Sequence, residues 1–371
     1  MSKLYENFIR PALFKASPEA AHEFGVATLK IGLSSKSARD FAAKRFACDE
    51  FGDLKRFGLT FKNPLGVAAG FDKNGALVNQ LAALGFGFVE VGTVTFRAQK
   101  GNEKPRLFRL PQDEALINRL GFNNDGAPKI IERLKKINPN CILGVNIGKN
   151  KDVPNENAVE NYLQSFDLVH SVADYIAVNV SSPNTPNLRE LQRAENLGEL
   201  LGALQTRNAQ LSNENRNARK GGDEKLKPLL VKIAPDLTDA EIEAITDVCL
   251  RLKIAGIIAT NTTIRRENLK TKINEIGGLS GKPLQNRSTQ VIRKIYKSSN
   301  GKLPVVGVGG IFSPEDAFEK IAAGASLLQS YTGFVYRGFT FARDVNSGLA
   351  RILKEKNFRV LDEAVGSSVK I

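Results

Sequence analysis

Residues 304–333 read PVVGVGGIFSPEDAFEKIAAGASLLQSYTG: a short apolar run, a Gly pair, a Ser-Pro helix start, an amphipathic segment and a second apolar run. A continuous apolar run of about four to eight residues is what a strand buried on both faces requires, and the helix between two such runs returns the chain to a parallel neighbour. Towards the N-terminus the same unit recurs at 64-PLGVAAG, 88-FVEVGT, 142-ILGVNIG, 175-YIAVNVS, 229-LLVKIA and 256-GIIAT. With 304-PVVGVGG and 326-SLLQSYTG these predict eight strands over about 270 residues, the count and length of a (β/α)8 TIM barrel. An open doubly wound sheet would carry GxGxxG after its first strand, where this chain has GFDKNG. The expected class is therefore α/β: a (β/α)8 barrel over residues 46–371, preceded by a small helical extension over 1–45.

In that extension Ser17 is placed to cap a helix, with Pro18 at its first position and Glu19 in its first turn. At 100° per residue, Phe24, Ala27 and Ile31 fall on one side and His22, Val26, Leu29 and Leu33 on the other. Such a two-faced helix is either clamped between the barrel and a second helix, or rests its outer face in a membrane interface or along an apolar tunnel. The segment 51-FGDLKRFGLTFKNP predicts a hairpin closing the barrel floor. Residues 212–227, SNENRNARKGGDEKLK, predict an exposed loop, and the last fifteen residues a loosely held tail.

The composition, 371 residues with 42% hydrophobic and 25% charged, is that of a globular protein. Charge or Gly interrupts every apolar run before the roughly 18 residues that a spanning helix needs. Glu6 and Arg10 break what would be the apolar core of a secretory signal, so a cytoplasmic location is expected. Cys48, Cys141 and Cys249 are widely spaced and only His22 and His170 accompany them, so neither a disulfide framework nor a bound metal is expected. The net charge of +14 suits an anionic partner, while the absence of Trp argues against a nucleic-acid stacking platform.

In such a barrel the working residues stand at the C-terminal ends of the strands. Polar residues occur there throughout: Gly70, Asp72 and Lys73; Thr93 and Thr95; Asn146 and Asn179; Lys232; Thr260 and Asn261; Gly309 and Gly310; Tyr331 and Thr332. Asn and Lys are costly inside an apolar strand unless a partner or ligand satisfies them. The Gly309-Gly310 turn, the helix capped by Ser313, and Tyr331-Thr332-Gly333 together suit a phosphate. Lys232 admits three readings: a Schiff-base amine, a cation beside a cofactor, or half of a buried ion pair. The loop NVSSPNTPNLRELQ places two serines at the mouth with no His or Cys nearby to activate them, which disfavours a hydrolase.

Ten motifs then occur in order: GVAAGFDKNG, FVEVGTVTFRAQKGNEKPRLFRL, INRLGFNN, GVNIGKNK, AVNVSSPNTPNLRELQ, VKIAPDL, IIATNTT, GGLSGKPL, VVGVGGI and AAGASLLQSYTGF. Through them the chain resembles the dihydroorotate dehydrogenases, specifically the quinone-dependent, membrane-associated class 2. The resemblance implies one FMN per chain, oxidation of (S)-dihydroorotate to orotate in de novo pyrimidine (UMP) synthesis, and a quinone as electron acceptor. It makes Ser182 the base that takes the C5 proton while hydride leaves C6 for flavin N5, with Thr185 and Phe122 as its relay. It assigns the substrate to Lys73, Asn118, Arg119, Leu120, Gly121, Phe122, Asn179, Asn184, Asn261 and Thr262. It assigns FMN to Ala69, Gly70, Phe71, Asp72, Lys73, Thr93, Asn146, Asn179, Thr260, Gly281, Gly310, Tyr331 and Thr332. Lys232 becomes the cation near flavin N1 and O2, and His22 and Arg97 fall beside the quinone tunnel. The resemblance further implies a single chain attached peripherally to an anionic membrane surface, on its cytoplasmic face.

The class assignment rests on Ser182, where the soluble class has Cys, and on the helical extension, which that class lacks. The rivals are a soluble relative using fumarate or NAD, a dihydrouridine synthase acting on RNA through a Cys, and a membrane-surface protein that keeps the barrel but no flavin. The chain has Asn187 where the family pattern has Gly, and Asn tolerates left-handed backbone.

Overall fold

In a computed structural model, which describes residues 3–218, 226–267 and 269–370, the eight apolar runs form the eight parallel strands of a closed barrel. In chain order the strands are β1 (Leu54–Arg56), β2 (Leu59–Phe61), β3 (Leu65–Val67), β4 (Phe88–Val94), β5 (Leu107–Leu110), β6 (Ala115–Asn118), β7 (Ile142–Ile147), β8 (Tyr175–Asn179), β9 (Leu229–Ile233), β10 (Gly256–Ala259), β11 (Gly278–Gly281), β12 (Val305–Val308) and β13 (Ala325–Ser330). The barrel closes in the order β10-β12-β13-β3-β4-β7-β8-β9. Its strands are buried on both faces, as their unbroken apolar sequences require. Two aromatic rings fill the lower interior, each opposite a Gly: a Cβ on Gly66 would sit 2.5 Å from the Phe88 ring, and one on Gly144 would sit 2.1 Å from that of Tyr175. β1 and β2 form the expected hairpin, and Phe61 meets Phe88 edge-on at 5.3 Å, sealing the floor.

The sequence reading missed a second sheet. β5, β6 and β11 form an antiparallel three-stranded flap, with Asn118 opposite both Leu107 and Gly278. The N-terminal extension comprises α1 (Arg10–Leu13), α2 (Pro18–Gly32) and α3 (Lys36–Phe46); α2 packs against β5 of this flap, and α3 against the helix Val78–Ala83. Ser17 caps α2 by accepting from Ala20 N–H at 3.2 Å, as expected. Of the two faces of α2, His22, Val26, Leu29 and Leu33 turn towards the protein and Ile31 is 77% exposed, while Phe24, 62% exposed, stands at the rim of the apolar space beneath the helix. Arg106 ties the helix to the flap through Glu19 at 3.2 Å, and Tyr5 donates to Val335 C=O at 2.8 Å.

Two expectations are corrected. The 212–227 stretch begins as helix, because Ala194–Ala218 is one continuous helix and Ser212 is buried within it; residues 219–225 lie outside the described residues. The tail is held: Leu361 and Ala364 are buried, and Gly366 N–H and Ser368 N–H donate to Ile321 and Ala322 C=O at 3.0 and 2.9 Å. Its apolar residues are too few to show a period, yet they close over the helix Pro314–Ala322.

Candidate active site and its two cavities

Above the aromatic floor, the C-terminal ends of the barrel strands and the flap line a cavity. Of the residues assigned from sequence, it gathers Ala69, Gly70, Lys73, Thr93, Asn118, Leu120, Gly121, Phe122, Asn179, Ser182, Asn184, Lys232, Thr260, Asn261, Thr262, Gly281, Gly310, Tyr331 and Thr332. They come from seven barrel strands or the turns after them and from the flap, which explains why no single segment contains the site.

Two cations stand in this cavity. Burial pushes the Lys73 ammonium down to about 8, and the nearby Arg106 charge adds to the effect. Lys232 is 5% exposed, and its charged partner among the described residues, Glu90, lies 3.9 Å away, beyond hydrogen-bond reach. Burial lowers the Lys232 pKa, against the pull of Glu90. A buried ammonium without a hydrogen-bonded partner favours an anionic or acceptor-rich ligand.

At one end of the cavity, Gly310 and Ile311 N–H have no hydrogen-bond acceptor among the described residues. Gly310 has φ +75°, and a Cβ there would meet that of Gln285 at 2.4 Å, so the bare turn is required. Gln329 Oε1 and Asn123 Oδ1 are likewise buried and unpartnered. These donors, acceptors and cations fit the phosphate and ring heteroatoms of a flavin mononucleotide.

The amides are held by one another. Asn184 Nδ2 donates to Asn118 Oδ1 at 3.2 Å, Asn261 Nδ2 to Asn179 Oδ1 at 3.3 Å and Asn179 Nδ2 to Thr93 Oγ1 at 2.9 Å. Ser182 is buried, and its Oγ accepts Asn184 N–H at 3.2 Å. The Ser182 loop turns back at Asn187, whose φ of +55° bears out the tolerance expected of Asn there.

Several assigned residues stand outside this cavity. Thr185 is buried without lining it, and no hydrogen bond joins Thr185 to Ser182. Asn146 lies a layer below, between Thr93 and Glu90. Asp72 shapes the turn that carries Lys73 by accepting Ala76 and Leu77 N–H at 2.9 and 2.7 Å. Arg119 pairs with Glu275 and stacks 4.6 Å over Phe108.

Phe71 faces a second, largely apolar cavity between the barrel and the extension. His22 lines it, with its ring 5.4 Å from that of Phe71, and burial pushes its pKa down to about 4. Arg97 does not: its exposed guanidinium pairs with Asp152 at 2.6 Å, and it lines neither cavity. The arginine that does is Arg109 on β5, held by Leu13 C=O at 3.2 Å and by Ala16 C=O, and lying 4.5 Å over the Phe14 ring. Both arginines belong to the motif TFRAQKGNEKPRLFRL, and only the pairing of β5 in the flap reveals that Arg109 is the one turned towards the segment between α1 and α2. Leu107, Leu116 and Tyr331 line both cavities and form their common wall.

A parallel barrel whose mouth joins two buried cations, unpartnered backbone donors and converging amides, with an apolar chamber behind one wall, defines an enzyme that holds planar anionic ligands beside an apolar one. The family model for dihydroorotate dehydrogenase matches residues 53–353, and the chain belongs to that family. It is 51% identical over 346 residues to the dihydroorotate dehydrogenase (quinone) of Christiangramia forsetii, covering 92% of this chain and 98% of that one. It is 50% identical over 357 residues to the protein of the same name from Gloeobacter violaceus, covering 96% and 97%. Among solved structures, the Eimeria tenella DHODH in complex with ferulenol superposes with a TM-score of 0.83 at 40% identity, covering 94% of this chain and 95% of that one.

Proposed function

We propose that this chain oxidises (S)-dihydroorotate to orotate in pyrimidine synthesis, with FMN in the barrel cavity and a quinone in the apolar one. The observation that carries the proposal is the shared wall of Leu107, Leu116 and Tyr331: a polar two-cation site and an apolar chamber are separated by single side chains. When bound, FMN supplies the hydride acceptor and passes the electrons on. Gly310, Ile311 and Thr332 would hold its phosphate, and Lys232, Gln329 and Thr93 would face its ring.

Lys73 would bind the substrate carboxylate, and Asn118, Asn179, Asn184 and Asn261 its ring amides, because paired amides offer coplanar donors and acceptors. Ser182 would take the C5 proton. The Asn184 N–H directed at its Oγ stabilises charge growing there, and its burial removes competing water. In this reading residues 1–45 form the quinone extension and 46–371 the catalytic barrel, working as a single chain. The exposed Phe24 and Ile31 face of α2 would rest on an anionic membrane from its cytoplasmic side. Among the described residues no helix is long and apolar enough to cross a membrane.

Protein purified without added cofactor should be yellow, and heat should release one FMN per chain, identified by mass and by its conversion to riboflavin with phosphatase. A colourless, flavin-free protein that does not take up FMN would overturn the reading.

A further inference from the structure

We propose that Glu90, in the barrel interior beneath the cavity, is a positioning residue that keeps Lys232 cationic and sets the direction of the amide chain leading to the substrate. The proposal rests on the FMN reading given above.

Glu90 lies at the centre of β4 with no solvent exposure, where an acid is rarely found without partners. Its Oε1 accepts Asn146 Nδ2 at 2.9 Å, and its Oε2 accepts Tyr175 OH at 2.9 Å and Gln329 Nε2 at 2.7 Å. Three uncharged donors solvate the carboxylate without cancelling its charge, which leaves that charge to balance Lys232, 3.9 Å away. The titratable groups facing Glu90 are Lys232 and Tyr175, with Cys141 beyond Tyr175. Burial and the carboxylate push the Tyr175 phenol well up, so it remains a donor across the neutral range. Removing its counter-charge lowers the pKa of so deeply buried an ammonium further and favours its neutral form.

The same carboxylate gives the hydrogen-bond chain a direction. It can only accept, so Asn146 must offer it Nδ2 and turn Oδ1 to Thr93, whose hydroxyl donates there at 2.6 Å. Thr93 Oγ1 therefore accepts from Asn179 Nδ2, and Asn179 Oδ1 accepts from Asn261 Nδ2 at 3.3 Å and from Ser181 Oγ at 2.9 Å. A glutamine at 90 could donate in turn and reverse this order.

The test is Glu90→Gln, read by the midpoint potential of bound FMN relative to the wild type. The expected result is a lower potential on the alkaline side that returns towards the wild-type value as the pH is lowered and Lys232 regains its proton, with a KM for dihydroorotate raised roughly tenfold or more. In a Lys232→Met background the same substitution should no longer lower the potential. A potential that is unchanged or raised in the single variant, or that falls equally in the Lys232→Met background, would overturn the proposal. If Glu90→Gln fails to fold, Glu90→Asp draws the carboxylate back and should shift the potential the same way by less; no shift there would also overturn it. Absence of FMN from the wild type sinks the underlying reading, whereas bound FMN with an unmoved potential sinks the role of Glu90 alone.

Discussion

The ring of Tyr331 stands edge-on to that of Phe71 at 5.6 Å, and this contact divides the two cavities: Tyr331 lines both, while Phe71 faces the apolar chamber and meets His22 on its far side. The oxidation proposed for the polar site and the quinone reduction proposed behind it can thus be separated experimentally, because outside the shared wall of Leu107, Leu116 and Tyr331 different residues line each chamber.

Arg109 tests the separation. Arg109→Leu should raise the KM for a quinone roughly tenfold or more while dihydroorotate still bleaches the flavin at the wild-type rate. Arg97→Leu, which alters only an exposed pair with Asp152, should change neither. Steady-state kinetics with varied quinone and stopped-flow bleaching read the two steps, and the opposite pattern would return the role to Arg97.

Lys73 should make substrate capture pH-dependent. With its pKa lowered to about 8 in the free protein, it is cationic below that value and neutral above it. The kcat/KM for dihydroorotate should therefore fall as pH rises through about 8. Lys73→Met should lower kcat/KM at pH 7 and flatten the alkaline limb; an alkaline limb retained in that variant would assign it to another group.

Ser182→Ala should keep its flavin and lose about 10²- to 10⁴-fold in turnover, the range of general base catalysis. Ser182→Cys should recover little at neutral pH. Pre-steady-state bleaching by dihydroorotate is the measurement, and a Ser182→Ala protein that bleaches at the wild-type rate would remove the serine from the mechanism.

The outer face of α2 predicts the lipid behaviour. A fully buried Phe or Ile side chain is worth about 1.5–3 kcal/mol, and Phe24 and Ile31 have only part of their surface left to bury, so Phe24→Ser with Ile31→Ser should weaken binding to anionic vesicles roughly a hundredfold or more. Co-sedimentation at low and high salt separates this apolar part from the contribution of the +14 charge. Binding that is unaffected by the substitutions would place the membrane contact elsewhere.

The barrel was legible because strands buried on both faces must be apolar without interruption, so runs such as 229-LLVKIA stand out and the lone Lys232 within one signals a ligand. Ser17 and Asn187 were legible for local reasons, a cap and a left-handed turn. The flap was not: β5 and β6 mix Arg109, Asn118 and apolar residues in an order that makes sense only once α2 covers one side and the cavity the other. Without the flap, Arg97 and Arg109 could not be told apart, and Glu90 passed as one residue of a strand although three side chains converge on it.

The most direct test of the whole account is anaerobic mixing of the purified protein with dihydroorotate, following oxidised-flavin absorbance, and then addition of a short-chain quinone. Bleaching is expected on the first addition and full recovery on the second. Bleaching that only fumarate or NAD reverses would contradict the role of the apolar chamber, and a flavin that dihydroorotate leaves oxidised would contradict the central claim.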